Sequence, residues 1–263
     1  MKEIRQISLM VAILLVVTAG GRGPAAASRN LTLAPPEIDI GAFFDGTQLT
    51  VSGEIPSACQ AVVEVIGERV EEELMRKARR WEMWVNVGEI DIEGVPYLYY
   101  AMSSSPELLA PQSSDQPWGY PALRRAAEFK EGSRSVRTAR LFDEFIKLKE
   151  DHKLYRILPG ALNVFPGQQN GRSRIEGAFR FPARLPVGTC KVRLRAIRSR
   201  QVVEQQSTAL QIQLVGLPAA LFSLATDNAL LYGFIALAIA VATGLLCGLV
   251  FSKGGKLPKG PEH

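Results

Sequence analysis

The chain has 263 residues, 47% of them apolar, and a formal net charge of +5, enough for one large domain or two small ones beyond any targeting segment. The basic excess sits at the ends. Setting aside Lys2, Arg5 and Arg22 with Glu3, and Lys253, Lys256 and Lys259 with Glu262, leaves 25 basic against 24 acidic residues. The pI of 9.2 therefore reads as membrane topology, and no nucleic-acid partner is expected.

Residues 1–27 follow the secretory pattern. Lys2 and Arg5 precede an apolar run, Ile7 to Thr18, that is too short to cross a bilayer. A Gly-rich breaker and Ala25-Ala26-Ala27 follow, so cleavage is expected after Ala27. The alternative is an uncleaved N-terminal anchor. No Cys follows the apolar run, which excludes a lipoprotein anchor.

The expected extracytoplasmic domain, residues 28–225, opens with strands. Gln48 to Glu54 alternates Leu49, Val51 and Gly53 with polar residues after an Asp45-Gly46 turn signal. Ala61 to Gly67 is β-branched, Met83 to Val87 alternates, and Tyr97 to Met102 is aromatic. Glu71 to Arg80 stays open between two readings. Glu72/Arg76 and Glu73/Lys77 are spaced for helical ion pairs, while an edge strand with outward charges fits equally.

A helical insertion is expected at about 106–155. Thr138 to His152 sets Leu141, Phe142, Phe145, Ile146 and Leu148 against charges, and a weaker helix covers Ala122 to Phe129. Strands return at Ala161 to Phe165, Arg174 to Phe181, Thr189 to Arg198 and Thr208 to Val215. Strands before and after a helical block predict a mainly β fold, an antiparallel Ig-like sandwich with a helical insertion, followed by one transmembrane helix.

That helix is 229–251. It carries no charge and no proline and makes about 34 Å of helix. The lysines behind it keep the 252–263 tail in the cytoplasm and the domain outside, the orientation a cleaved signal peptide also gives. Ala236, Ala240, Gly244 and Gly248 recur every four residues and suit close packing of a second helix, from another copy or from a polytopic membrane protein. Small residues are also common in such helices without that purpose.

Cys59 and Cys190 both fall in the outer part, where disulfides persist, and either form a bridge or remain two buried thiols. No cofactor and no metal ligand set is expected, because no Cys/His cluster and no phosphate-binding or nucleophile motif occurs. His152 lies at the polar end of its helix, where it meets the dipole, and no nucleophile pairs with it in the sequence. The richest polar and aromatic constellation is Arg79, Arg80, Trp84, Asn86, Tyr97, Tyr99, Ser103 and Ser104. Guanidinium beside aromatic rings and hydroxyls suits an anion or a protein partner; the alternative is that the rings are core and the arginines a solvated edge.

The ordered segments FFDGTQLTVSGEIP, VVEVIG, RKARRWEMWVN, VPYLYYAMSS, LPVGTCKVRLRAI and LLYGFIALAIAVATGLLCGLVF resemble the Alph_Pro_TM family of transmembrane proteins, first noted in alphaproteobacteria. The likeness covers essentially the mature chain. It implies a periplasmic domain with one C-terminal span in the bacterial inner membrane, and an accessory role near an exporter of the sulfite or TauE/SafE type. Cys190 departs from the resemblance, since an aromatic residue is more usual after that Gly-Thr, and this favours the Cys59–Cys190 bridge. The expected function is a non-enzymatic, membrane-anchored accessory or binding protein. The alternatives are a structural envelope protein or an unrecognised hydrolase.

Overall fold

The computed structural model describes residues 31–110, 115–131, 134–135, 139–167 and 171–254. The expected signal peptide (1–27) and most of the expected basic tail (252–263) lie outside them. The strands are β1 (Thr32–Ala34), β2 (Glu37–Ile40), β3 (Thr47–Pro56), β4 (Gln60–Ile66), β5 (Arg69–Arg80), β6 (Met83–Pro96) and β7 (Tyr99–Ser103). After a short 3-10 turn at Pro106–Leu108 come α1 (Gly119–Ala126), β8 (Glu128–Glu131), β9 (Arg134–Ser135) and α2 (Ala139–Asp151). Then follow β10 (Tyr155–Leu158), β11 (Asn163–Pro166), β12 (Arg172–Phe181), β13 (Gly188–Arg198), β14 (Gln201–Leu214), α3 (Leu217–Asp227) and α4 (Ala229–Gly254).

Two sheets form the sandwich, in the orders β1-β3-β12-β11 and β10-β7-β4-β13-β14-β2. Their pairs are antiparallel except β10 with β7 and β14 with β2, which are parallel. Period-2 alternation drives the packing. Leu49, Val51 and Ile55 of β3 face Val63 and Val65 of β4 and Val192 and Leu194 of β13 in one core. Tyr100 fills its centre edge-on to Phe179 (6.0 Å) and Phe181 (4.9 Å). A one-residue slip in any of these strands would turn its apolar set outward.

β4 and β7 are buried on both faces. Ala61 to Val65 and Tyr99 to Ser103 are all buried, because a second core covers the outer face of their sheet. That explains why AVVEVI and YLYYAM read as apolar runs instead of alternations. The second core joins Val62, Tyr99, Ala101 and Ile197 to a separate lobe containing Ile90, Ile92, Leu123, Phe129, Phe142 and Phe145.

This lobe is built on a third sheet, β5-β6-β8-β9, and on α1 and α2. Glu71 to Arg80 is therefore a strand. It pairs with β6 from Arg69↔Pro96 to Arg80↔Met83, with bulges at Val70/Glu72 and Arg76/Lys77. Glu72 does not pair along a helix; it holds Lys149, a buried residue of α2, whose ammonium lies 5.5 Å from the Phe145 ring centre and 5.6 Å from Tyr155. The expected helix at Ala122 to Phe129 starts earlier, at Gly119, and gives way to β8 at Glu128. The strand β6, expected inside the sandwich, belongs to the lobe over most of its length.

Candidate functional site

β4, β7 and β13 place Glu64, Tyr99 and Arg195 on the sheet face that the lobe covers. Glu64 and Arg195 are 2% and 5% exposed, and they form an ion pair. The Tyr99 hydroxyl donates to Glu64 Oε1, which also accepts the Gly119 backbone N–H at 3.2 Å. The same N–H lies 2.8 Å from the Tyr99 oxygen, and Arg195 Nε donates to Gln205 at 3.2 Å. Gly119 is the first residue of α1 and has φ of +73°, a conformation that leaves its N–H aimed at the carboxylate. The pair thus joins the sandwich to the lobe through charge-assisted bonds.

Burial pulls the Arg195 guanidinium down to about 10, still above neutral pH, and pushes the Tyr99 phenol well above its ordinary range. Each member of the network is held by the others, so its chemistry is that of a lock between two parts of the fold. Sequence reasoning passed over Glu64 and Arg195. The available signal was one acid inside the β-branched run VVEVI and a basic side chain at every second position of KVRLR. Around the far end of the same sheet, Gln60, Glu107, Trp118 and Arg200 line a cleft of about 520 Å³, the size of a small-molecule site.

The constellation singled out in the sequence divides in two. Arg79, Arg80, Trp84 and Asn86 stand near the tip of the β5–β6 hairpin, where Arg79 pairs with Trp84 and Arg80 with Met83. Arg79 is exposed, and Asn86 Nδ2 donates to Met75 Sδ at 3.2 Å. Tyr97, Tyr99, Ser103 and Ser104 lie in or beside the sandwich. Tyr97 Oη sits 3.2 Å from Cys190 Sγ, Ser103 Oγ donates to the Ser105 carbonyl at 2.7 Å, and Ser104 Oγ accepts the Ala61 N–H at 2.9 Å. The two groups stand on different parts of the fold, one near the hairpin tip and the other in or beside the sandwich.

The Cys59–Cys190 bridge is also corrected. Both thiols are free and buried. β4 and β13 pair antiparallel from Gln60↔Ile197 to Ile66↔Lys191, so Cys59 and Cys190 flank opposite ends of one ladder, roughly 26 Å apart along the strands. Burial raises the Cys190 thiol to about 11, so it stays protonated at neutral pH. We expect a reductant to leave the unfolding midpoint of the full chain unchanged and all three cysteines to be alkylated after denaturation without prior reduction. A midpoint that falls by several degrees in dithiothreitol would restore the bridge.

The helix α4 carries the candidate span, Ala229–Phe251, none of which is buried. Ala236, Ala240, Gly244 and Gly248 are exposed on it, and a Cβ added at Gly244 or Gly248 would meet nothing within 4 Å. Compared with known families, residues 30–253 match the family described as "Putative transmembrane protein (Alph_Pro_TM)". The chain belongs to that family. A search of curated proteins found no match. As an Alph_Pro_TM protein it is a membrane protein with one candidate span near its C-terminus and a β-rich domain before it.

Proposed function

We propose that this Alph_Pro_TM chain is a non-enzymatic accessory module that stands outside the cytoplasm on the bacterial inner membrane and docks on a polytopic membrane protein. An exporter of the sulfite or TauE/SafE type is the partner class that the family resemblance implies. The C-terminus is cytoplasmic in this reading, with lysines behind the span.

The observation that carries the reading is the joint between domain and span. β14 ends at Leu214, and the next residue is still tied to the sheet, Val215 N–H to the Ile40 carbonyl at 3.0 Å. α3 begins at Leu217, ends at Asp227, and only Asn228 separates it from α4. α3 itself is apolar and open, with Leu217, Leu221 and Phe222 exposed, as suits a helix lying at the lipid interface. The domain therefore has no flexible tether with which to search the space outside the membrane. Its reach is confined to whatever sits in or on the bilayer beside it.

Purification in mild detergent tests this. The full chain should carry a membrane protein with it, and Gly244→Leu should lower the recovery of that complex about tenfold by blocking close helix approach. A monomer without a partner under every mild condition would overturn the reading. Recovery unchanged in Gly244→Leu would move the contact from the small-residue stripe to another face.

A further inference from the structure

The β5–β6 hairpin continues the sandwich ladder without a break. β4 pairs with β7 from Val62↔Ser103 to Ile66↔Tyr99, Gly67 N–H bonds Leu98 O at 2.8 Å, Tyr97 N–H bonds Glu68 O at 3.0 Å, and β5 with β6 takes over at Arg69↔Pro96. β4 runs antiparallel to β13, and β13 antiparallel to β14, so the ladder leaves the sandwich through the end at which β14 hands the chain to α3. Among the described residues, β8 pairs with β6 at Asp91 to Glu93. Past Gly88, beside which Glu131 of β8 lies, β5 and β6 pair only with each other among the described residues, a form of marginal stability without a surface to rest on.

Its apex is unusual in composition. Trp81 and Glu82 have φ of +50° and +66°, the left-handed pair of a two-residue hairpin turn that normally favours Asn-Gly. Trp81 is 95% exposed, and Met83 and Met75 are 66% and 55% exposed. None of these packs into either core. Arg76, Lys77, Arg79 and Arg80 precede the apex on β5, against Glu82 alone on the turn. A solvent-facing tryptophan among basic residues costs solubility and gains the fold nothing. The same set matches the headgroup layer, where indole rings concentrate and cations meet anionic lipid.

We infer that the hairpin tip around Trp81 is a second membrane contact, seated in the anionic headgroup layer of the bilayer that the chain's own span enters. A straight arm from Ile66 to Trp81 would reach at most roughly 50 Å, and it leaves the sheet at the end where β14 passes into α3. The span and α3 fix one side of the domain, and the hairpin fixes another. This inference rests on the membrane anchor and is independent of the accessory role proposed above.

The test uses the full chain reconstituted in phosphatidylcholine vesicles with and without phosphatidylglycerol, with brominated acyl chains as quencher. The three tryptophans are Trp81, Trp84 and Trp118, and Trp118 is buried with its Nε1 bonded to Leu108 O at 2.7 Å. Brominated lipid should quench the wild type, and Trp81→Phe should remove about half of that quenching or more. Trp84→Phe, which keeps Trp81, should retain most of it. Arg79→Glu should weaken quenching in the anionic vesicles and leave the neutral ones little changed. Equal quenching in the wild type and Trp81→Phe would overturn the inference. So would protection of Trp81 that rises with protein-to-lipid ratio, since that is contact with a second copy.

Discussion

Glu64→Ala should destabilise the full chain by roughly 3–5 kcal/mol, because it leaves the Arg195 guanidinium buried and unpaired beneath the lobe. For a domain of this size that is a fall on the order of 10 °C in Tm. The measurement is thermal unfolding in detergent followed by near-UV circular dichroism. The paired replacement Glu64→Leu with Arg195→Met should recover most of the loss, since apolar groups of similar volume replace two desolvated charges. A small effect of Glu64→Ala would mean that water reaches Arg195 when the carboxylate is gone. A double variant as unstable as the single one would place the cost in Tyr99 and Gly119, which also bond the carboxylate.

Gly94→Ala should cost roughly 2–4 kcal/mol. Gly94 sits in β6 with φ of +80°, and a Cβ there would overlap the backbone oxygen of Ala126 at the end of α1. Neither atom can swing aside as a side-chain end can. Gly171 supplies the control, with φ of +60° and nothing within 4 Å of an added Cβ. Gly171→Ala should therefore show the left-handed strain alone, about 1 kcal/mol. The difference between the two, read from the same unfolding curves, measures how tightly β6 at Gly94 is pressed on α1. Equal losses would show that α1 shifts away at little cost.

Local pattern revealed a good share of this architecture. β3 and β12 each expose one face, so their alternation is visible in single residues such as Leu49, Val51 and Ile55. The span was visible from composition alone, because a bilayer imposes length and apolarity without reference to the rest of the chain. Glu71 to Arg80 was undecidable locally. Its charges suit a helix, and the pairing with β6 that makes it a strand is a tertiary fact. The cysteines misled for a related reason. Both flank strand ends, but strand direction decides which ends meet, and direction is not written in spacing.

The candidate site was the least legible part. Arg79 and Tyr97 looked like neighbours because they are near in sequence, yet a long strand carries them apart. Glu64 and Arg195 looked unrelated because 131 residues separate them. Only the order of strands in the sheet brings them together, β7-β4-β13, with α1 closing over the top.

That separation also sets an order of events. A chain synthesised from its N-terminus presents Glu64, then the whole lobe from β5 to α2, before Arg195 emerges on β13. Until then the carboxylate beneath the lobe has no counter-charge, and sealing it there would be costly. The lobe's helices and hairpin form from contacts close in sequence, whereas its docking waits for one of the longest loop closures in the domain. Lobe closure is thus a late folding step, completed when β13 enters the sheet, only a few strands' length before the membrane helix follows.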